Sequence, residues 1–220
     1  MYIPRHHAQP DTDALAALIA SHALGAWVCQ TAGGLVANHV PFHFDRQRGK
    51  LVGHVARANP VWRALGEGAG AGAPSVVMFQ GPQAYITPGW YPSKREHGKA
   101  VPTWNYAVAH VHGRARAMDD PAWLRPMLEQ LVNDHEASQA SPWQVSDAPS
   151  DYIDRLLRAI VGIEIDVDRL EGKLKASQNG AAADRRGTVA GLHAAGGDER
   201  LAMAALVQAA IDADKPPTNG

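Results

Sequence analysis

Residues 75–87, SVVMFQGPQAYIT, and residues 103–118, TWNYAVAHVHGRARAM, decide the fold. The first stretch holds two apolar, β-branched and aromatic runs, 75–81 and 83–87, parted at Gly81-Pro82. In the second, Val108, His110 and His112 recur at every other position, the period at which a strand returns side chains to one face. The middle of the chain therefore predicts a meander of antiparallel strands.

Working outward, Trp27–Thr31 and Leu35–Phe44 read as two strands around Gly33-Gly34, a dipeptide able to take the positive φ of a hairpin turn. Asn38, His39 and His43 break a simple alternation in the second of them, leaving its facing ambiguous. Leu51–Ala56 is a further short strand, and Asn59-Pro60 predicts a cap and a helical turn through Leu65. An early helix is expected over Asp11–Ala23. From Pro121, residues Trp123, Leu124, Met127, Leu128, Leu131 and Val132 recur at helical spacing behind Asp119-Asp120, which predicts an amphipathic helix. A second helix is expected around Ser150–Ala159, then a late strand in which Ile163, Ile165 and Val167 alternate with acids as if one side were buried. Beyond Leu192 the composition shifts to Ala and Gly, with one helix over Asp198–Ala213 and a Pro-Pro tail expected to fray. Six or more strands interrupted by helices imply a mainly β (α+β) barrel with added helices, not a parallel α/β sheet.

The 220 residues, 45% hydrophobic, suffice for one sizeable core. No apolar run is long enough to cross a bilayer, and MYIPRHHAQP lacks a signal-peptide pattern, so a soluble, cytoplasmic protein without a membrane partner is expected. Cys29 stands alone, which excludes an intrachain disulfide and a CxxC site. A net charge of −1 gives no general basic excess for nucleic acid.

Gly66-Glu67-Gly68-Ala69-Gly70-Ala71 spells GxGxxA, but a helical turn precedes it and a strand follows, the reverse of a dinucleotide fingerprint; a flexible loop is the better reading. HExxH, P-loop and GxSxG motifs do not occur. Among eleven histidines, His110 and His112 would share a strand face with His39 and His43 nearby, yet no Cys or carboxylate stands at ligand spacing, so no metal is expected. Arg57 sits where a strand gives way to a turn, and Arg57-Ala58-Asn59 offers either a phosphate site of cation and amides or a salt bridge beside a helix cap. Trp104-Asn105-Tyr106 offers a wall and a polar edge for a flat ring, or ordinary core. Lys173 and Lys175 with Ser177, Gln178 and Asn179 form either a solvated loop or a second clamp for phosphate and ring edge.

Together MYIPRH, GHVARANPVW, FQGPQAYITPGWYPSK, VPTWNYAVAHVHG and AIVGIEIDVDRLEGKLKASQN resemble the PaiB-like FMN-binding negative transcriptional regulators, in order, from Met1 to about Leu192. His7, Thr87 and Gly180 depart from that family's pattern. The resemblance implies an FMN-binding split β-barrel over 1–192, with 193–220 as an Ala-rich helix and flexible tail. It also implies a homodimer with FMN sites at the subunit interface. On that basis Arg57 and Lys175, with amides near Ala58 and Asn59, are assigned to the phosphate. Trp104 and Tyr106 are assigned to the isoalloxazine, and Asn105, Ser177, Gln178 and Asn179 to its polar edge or the ribityl chain.

Three activities compete. A repressor would act on DNA or through a regulatory protein partner, although Asp119, Asp120, Glu129, Asp134 and Glu136 make the Pro121 helix a poor surface for phosphate backbones. A flavin-dependent oxidoreductase would use NAD(P)H and a small substrate, with His54, His112 and Tyr85 available as proton donors and no catalytic residue singled out. Haem binding would need one axial histidine, which eleven candidates do not distinguish.

Overall fold

The structure, a computed structural model, describes residues 1–66 and 72–214. The GxGxxA positions 67–71 and the Pro-Pro tail lie outside the described residues. Among the described residues seven strands follow chain order: β1 (Leu24–Thr31), β2 (Gly34–Pro41), β3 (His43–Asp45), β4 (Lys50–Ala56), β5 (Ala73–Ile86), β6 (Thr103–Met118) and β7 (Ile160–Lys175). They form one sheet in the order β2-β1-β5-β6-β7-β4-β3, a mainly β split-barrel framework with added helices. The helices are α1 (Thr12–Ser21), α2 (Val61–Ala64), α3 (Pro92–His97), α4 (Pro121–Glu136), α5 (Ser150–Arg158), α6 (Ala182–Ala195) and α7 (Asp198–Ala213). Among the described residues no helix is long and apolar enough to cross a membrane. The chain divides into two compact units: Met1–Pro10, Gln80–Val108 and Gly172–Gly220 form the first, and Asp11–Phe79 with Ala109–Glu171 the second.

The second unit holds the larger core. Trp27, Phe42 and Phe79 meet edge to face, with centroids 6.5 and 6.4 Å apart, inside a shell that includes Leu51, Val77, Ile163 and Ile165. Full burial of each such aliphatic or Phe side chain contributes about 1.5–3 kcal/mol. The β1–β2 hairpin pairs Thr31 with Gly34, so its turn is Ala32-Gly33, and Gly34 at φ +110 opens the second strand. The ambiguous facing of that strand resolves to a regular alternation in which Val36, Asn38 and Val40 turn inward and His39 outward. Asn59 Nδ2 donates to Asn38 Oδ1 at 2.7 Å, while the buried Nδ2 of Asn38 has no hydrogen-bond partner among the described residues.

Asp11 caps α1 by accepting from Asp13 and Ala14 amides, and Asp120 caps α4 by accepting from Ala122. The late strand departs from the one-sided expectation: Val161 to Ile165 are all buried. Trp123 of α4 lies on Gly162, where an added Cβ would collide with its ring, and the inward acid Glu164 is matched by Lys50 Nζ at 2.5 Å. Leu124, Met127, Leu131, Ile153 and Leu157 bind α4 and α5 into a smaller core.

Strand β5 runs unbroken through Gly81-Pro82, where two runs were expected, but its inward phase changes. Val77, Phe79 and Gly81 face in up to the dipeptide, Ala84 and Ile86 after it, a one-residue shift of the kind a bulge produces. The helix expected over Asp198–Ala213 is α7. It packs with α6 around Ile86, Leu192, Met203 and Val207. Gly187 and Gly191, one turn apart on α6, admit Trp90: its carbonyl lies against the first and its indole against the second. Gly191→Ala should therefore lower unfolding free energy by about 1–3 kcal/mol through overpacking, reversing the gain of about 1 kcal/mol that helix propensity alone supplies. Urea denaturation of the two chains measures the sign.

Candidate functional site

Two cationic corners of the sequence were expected to meet a phosphate, and they fall in different units. In the second unit, β4 ends at Ala56 and Arg57 turns toward the start of β7. Its guanidinium is held by both carboxylate oxygens of Asp119, while Nε donates to the Arg158 carbonyl at 2.6 Å and Nη2 to the Ile160 carbonyl at 3.0 Å. The hydrogen bond and charge of Asp119 raise the Arg57 pKa, and Arg57 in turn lowers that of Asp119. The amide of Asn59 donates to Ala56 and that of Arg57 to Ala159, both at 2.8 Å. Asn59 Oδ1 accepts from Val61 at 3.1 Å and starts α2. Arg57 and Asn59 are thus tied into their own surroundings on either side of Ala58.

In the first unit, β7 runs out at Lys175 beside the start of β6. Lys175 Nζ donates to Thr103 Oγ1 at 2.5 Å. Lys173 Nζ lies 5.3 Å from the Tyr106 ring centroid, 5.8 Å from that of Tyr2, and 3.2 Å from the Tyr2 carbonyl. Among the described residues neither lysine is paired with a carboxylate. Ser177 adopts φ +60, a left-handed conformation that costs a non-glycine residue about 1–3 kcal/mol. Two bonds oppose that strain: Asn105 Nδ2 donates to Ser177 Oγ at 2.9 Å, and Gly180 donates to the Ser177 carbonyl at 2.9 Å. Gln178 folds back, accepting from the Ala176 amide at 2.8 Å and donating to Leu174 at 2.6 Å, and its Oε1 meets His7 Nδ1 at 3.1 Å. Burial and the nearby charges of His6, Lys175 and Lys173 push the His7 pKa down, against the opposing Gln178 bond. Asn179 is exposed.

Asn105 is fully buried, and its Oδ1 has no hydrogen-bond partner. Next to it on β6, Trp104 is 53% exposed and meets Tyr85 edge to face at 6.0 Å. These two aromatics with Trp90, and Glu199 and Arg200 of α7, line a cavity of about 810 Å³. Trp90 and Arg200 were not found by sequence reasoning, since nothing in their spacing links them to Trp104. Glu199 Oε2 accepts from the Gln83 amide at 3.2 Å and ties α7 to β5. Neither lysine nor Asn105 lines that cavity: the unpartnered buried oxygen and two lysines without acids suit an anionic, hydrogen-bonding group, and the open aromatic wall suits a flat one.

The remaining histidine candidates divide. His39 faces outward and His43 pairs with Asp134 at 2.5 Å, while His110 and His112 stay together on β6 with ring centroids 6.3 Å apart. His54 is half-buried, its Nδ1 is without a hydrogen-bond partner among the described residues, and burial lowers its pKa.

The framework is that of the flavin-binding split barrels. Residues 1–169 match the model of a family described as "Putative FMN-binding domain", and the chain belongs to that family. It is 36% identical over 242 residues to an uncharacterized protein of Emericella nidulans, covering 94% of this chain and 96% of that one. It is 30% identical over 181 residues to the Bacillus subtilis protease synthase and sporulation protein PAI 2, covering 81% of this chain and 83% of the relative. A solved structure described as the FAD and heme binding protein from Mycobacterium smegmatis superposes with a TM-score of 0.57 at 18% identity, over 77% of this chain and 73% of the other. The resemblance to PaiB-like proteins read from the sequence motifs agrees with these relatives.

Proposed function

We propose that this protein is a cytoplasmic, homodimeric flavoprotein of the PaiB-like kind, holding FMN and acting as a negative regulator of transcription. The observation that carries the flavin reading is the end of β7: Lys173 and Lys175 without acids, beside a buried unpartnered amide oxygen and an exposed indole. Lys175 supplies charge to the phosphate, and its present partner, the neutral Thr103 hydroxyl, gives way at little cost. Arg57, with the amides near Ala58 and Asn59, is a second phosphate arm, and it engages by exchanging Asp119 for the phosphate. Trp104 and Tyr106 take the ring face, while Asn105, Ser177, Gln178 and Asn179 meet the ribityl chain or ring edge. When bound, FMN supplies a two-electron redox centre that needs no further protein acid or base.

The kinship with PAI 2 and the resemblance to PaiB-like regulators support the regulatory role. Action through a partner protein suits this chain better than direct contact with DNA, because α4 carries Glu129, Asp134 and Glu136 on its exposed side. The test is FMN titration of the purified protein, followed by quenching of flavin fluorescence, with sedimentation velocity before and after saturation. One FMN per chain on a dimer is expected. Absence of saturation at excess FMN overturns the flavin reading, and a monomer at saturation overturns the dimer.

A further inference from the structure

Away from the lysine corner, two strands bring together a set of side chains that the sequence scatters. His110 and His112 are two residues apart on β6 and share one face. Glu171 stands on β7, the neighbour of β6 in the sheet. One ring nitrogen from each histidine and one oxygen of Glu171 lie within 4.8 Å of one another. His112 Nε2 and Glu171 Oε2 are already 3.0 Å apart. Arg169 Nη1 donates to the other Glu171 oxygen at 3.0 Å and so orients the carboxylate. All four residues are in the second unit.

We propose that His110, His112 and Glu171 form a binding site for a divalent first-row transition metal ion of the Zn²⁺, Fe²⁺ or Co²⁺ class. Two imidazoles and one carboxylate are a borderline donor set, too rich in nitrogen for Mg²⁺ or Ca²⁺ and lacking the thiolates that select Cu⁺. Metal–nitrogen and metal–oxygen bonds of about 2.0–2.2 Å put neighbouring tetrahedral ligands about 3.3–3.6 Å apart. The His112–Glu171 spacing is close to that edge, so the ion displaces that hydrogen bond. Arg169 holds the second carboxylate oxygen, the outer-sphere contact that fixes a ligand's orientation. Three protein ligands leave at least one coordination position open to water or to a small anionic or neutral donor. The three side chains are only partly buried, which gives the ion a route in.

The test uses the full chain, stripped with chelator and titrated with Co²⁺. The expected result is saturable uptake of one Co²⁺ per chain, with weak visible d–d bands of nitrogen and oxygen coordination and no thiolate charge-transfer band, reversed by Zn²⁺. His110→Ala, His112→Ala and Glu171→Gln should each weaken uptake at least tenfold. Arg169→Ala should weaken it less, and His39→Ala should leave it unchanged. Because a variant of β6 can misfold, the wild-type melting temperature with and without Zn²⁺ is measured in parallel; a binding-linked rise is expected. No saturable Co²⁺ uptake and no Zn²⁺-dependent rise would overturn the proposal. So would uptake that survives loss of all three ligands. FMN binding is measured separately and has no bearing on either outcome.

Discussion

The turn at Arg57 and the end of β7 at Lys175 look alike in sequence, each a cation where a strand becomes a loop, yet the fold treats them differently. At Arg57 four donor contacts run to Asp119 and two backbone carbonyls, and the adjoining amides are also bonded. At Lys175 the contact is a neutral hydroxyl, and the loop beyond keeps a non-glycine residue at positive φ. A cation already bonded to a carboxylate must lose that interaction before it takes another anion, whereas one resting on a hydroxyl loses little. Residue type and position in sequence do not distinguish the two cases; the partner does.

The widest separation between them should appear in FMN affinity. Lys175→Ala removes a charge-assisted phosphate contact of about 1.5–3 kcal/mol, weakening FMN binding by roughly 10–150-fold in a fluorescence titration. Arg57→Ala should cost about tenfold or less, because Asp119 competes for the guanidinium throughout. Equal losses in the two variants would break the comparison and place both arms on the phosphate with equal weight. An unchanged affinity in Arg57→Ala would leave the lysine arm to hold the phosphate alone.

Asp119→Asn sharpens the same point with the opposite sign. It keeps the shape and one hydrogen-bond acceptor beside Arg57 but removes the competing negative charge. FMN binding should tighten by roughly 2–5-fold, consistent with a screened, exposed ion pair. Weaker binding in this variant would mean that Asp119 positions the arginine for the phosphate.

How much of this was legible in sequence depends on range. The strands of the meander, the caps at Asp11 and Asp120 and the span of α7 follow from local pattern, and the structure has them close to where the pattern puts them. Helix α6 was not assigned from the sequence: Gly187 and Gly191 weaken a helical pattern, and the reason for them is the notch that admits Trp90. The burial of both faces of β7 was hidden for the same reason: Glu164 looks like a solvent-side residue until Lys50 stands opposite it. The candidate-site residues Asn105 and Ser177 could be named from their chemistry, but not that they bond to each other 72 positions apart. The missing carboxylate for His110 and His112 was Glu171, 59 residues along and one strand over.

Acid pH provides the smallest and last contrast, between one histidine of each unit, the buried His7 and the half-buried His54. Burial lowers the pKa of His7 below 6.5, with the charges of His6, Lys175 and Lys173 adding to it and the Gln178 bond opposing. His54 is lowered by burial alone, with nothing opposing it. For both, the folded state binds the proton less readily than the unfolded chain. As pH falls through 6.5 toward the folded values, the unfolded state takes up more protons and stability is lost; above 6.5 neither state is protonated and the term vanishes. The protein should therefore melt lower at pH 5 than at pH 7, by about 2–4 °C for each kcal/mol involved. His54→Phe should flatten this acid-side slope more than His7→Gln, because the lysine corner already partly satisfies His7 through Gln178. A larger flattening in His7→Gln would mean that the uncompensated charge of the two lysines, not burial, governs that corner, and would strengthen its assignment as an anion site.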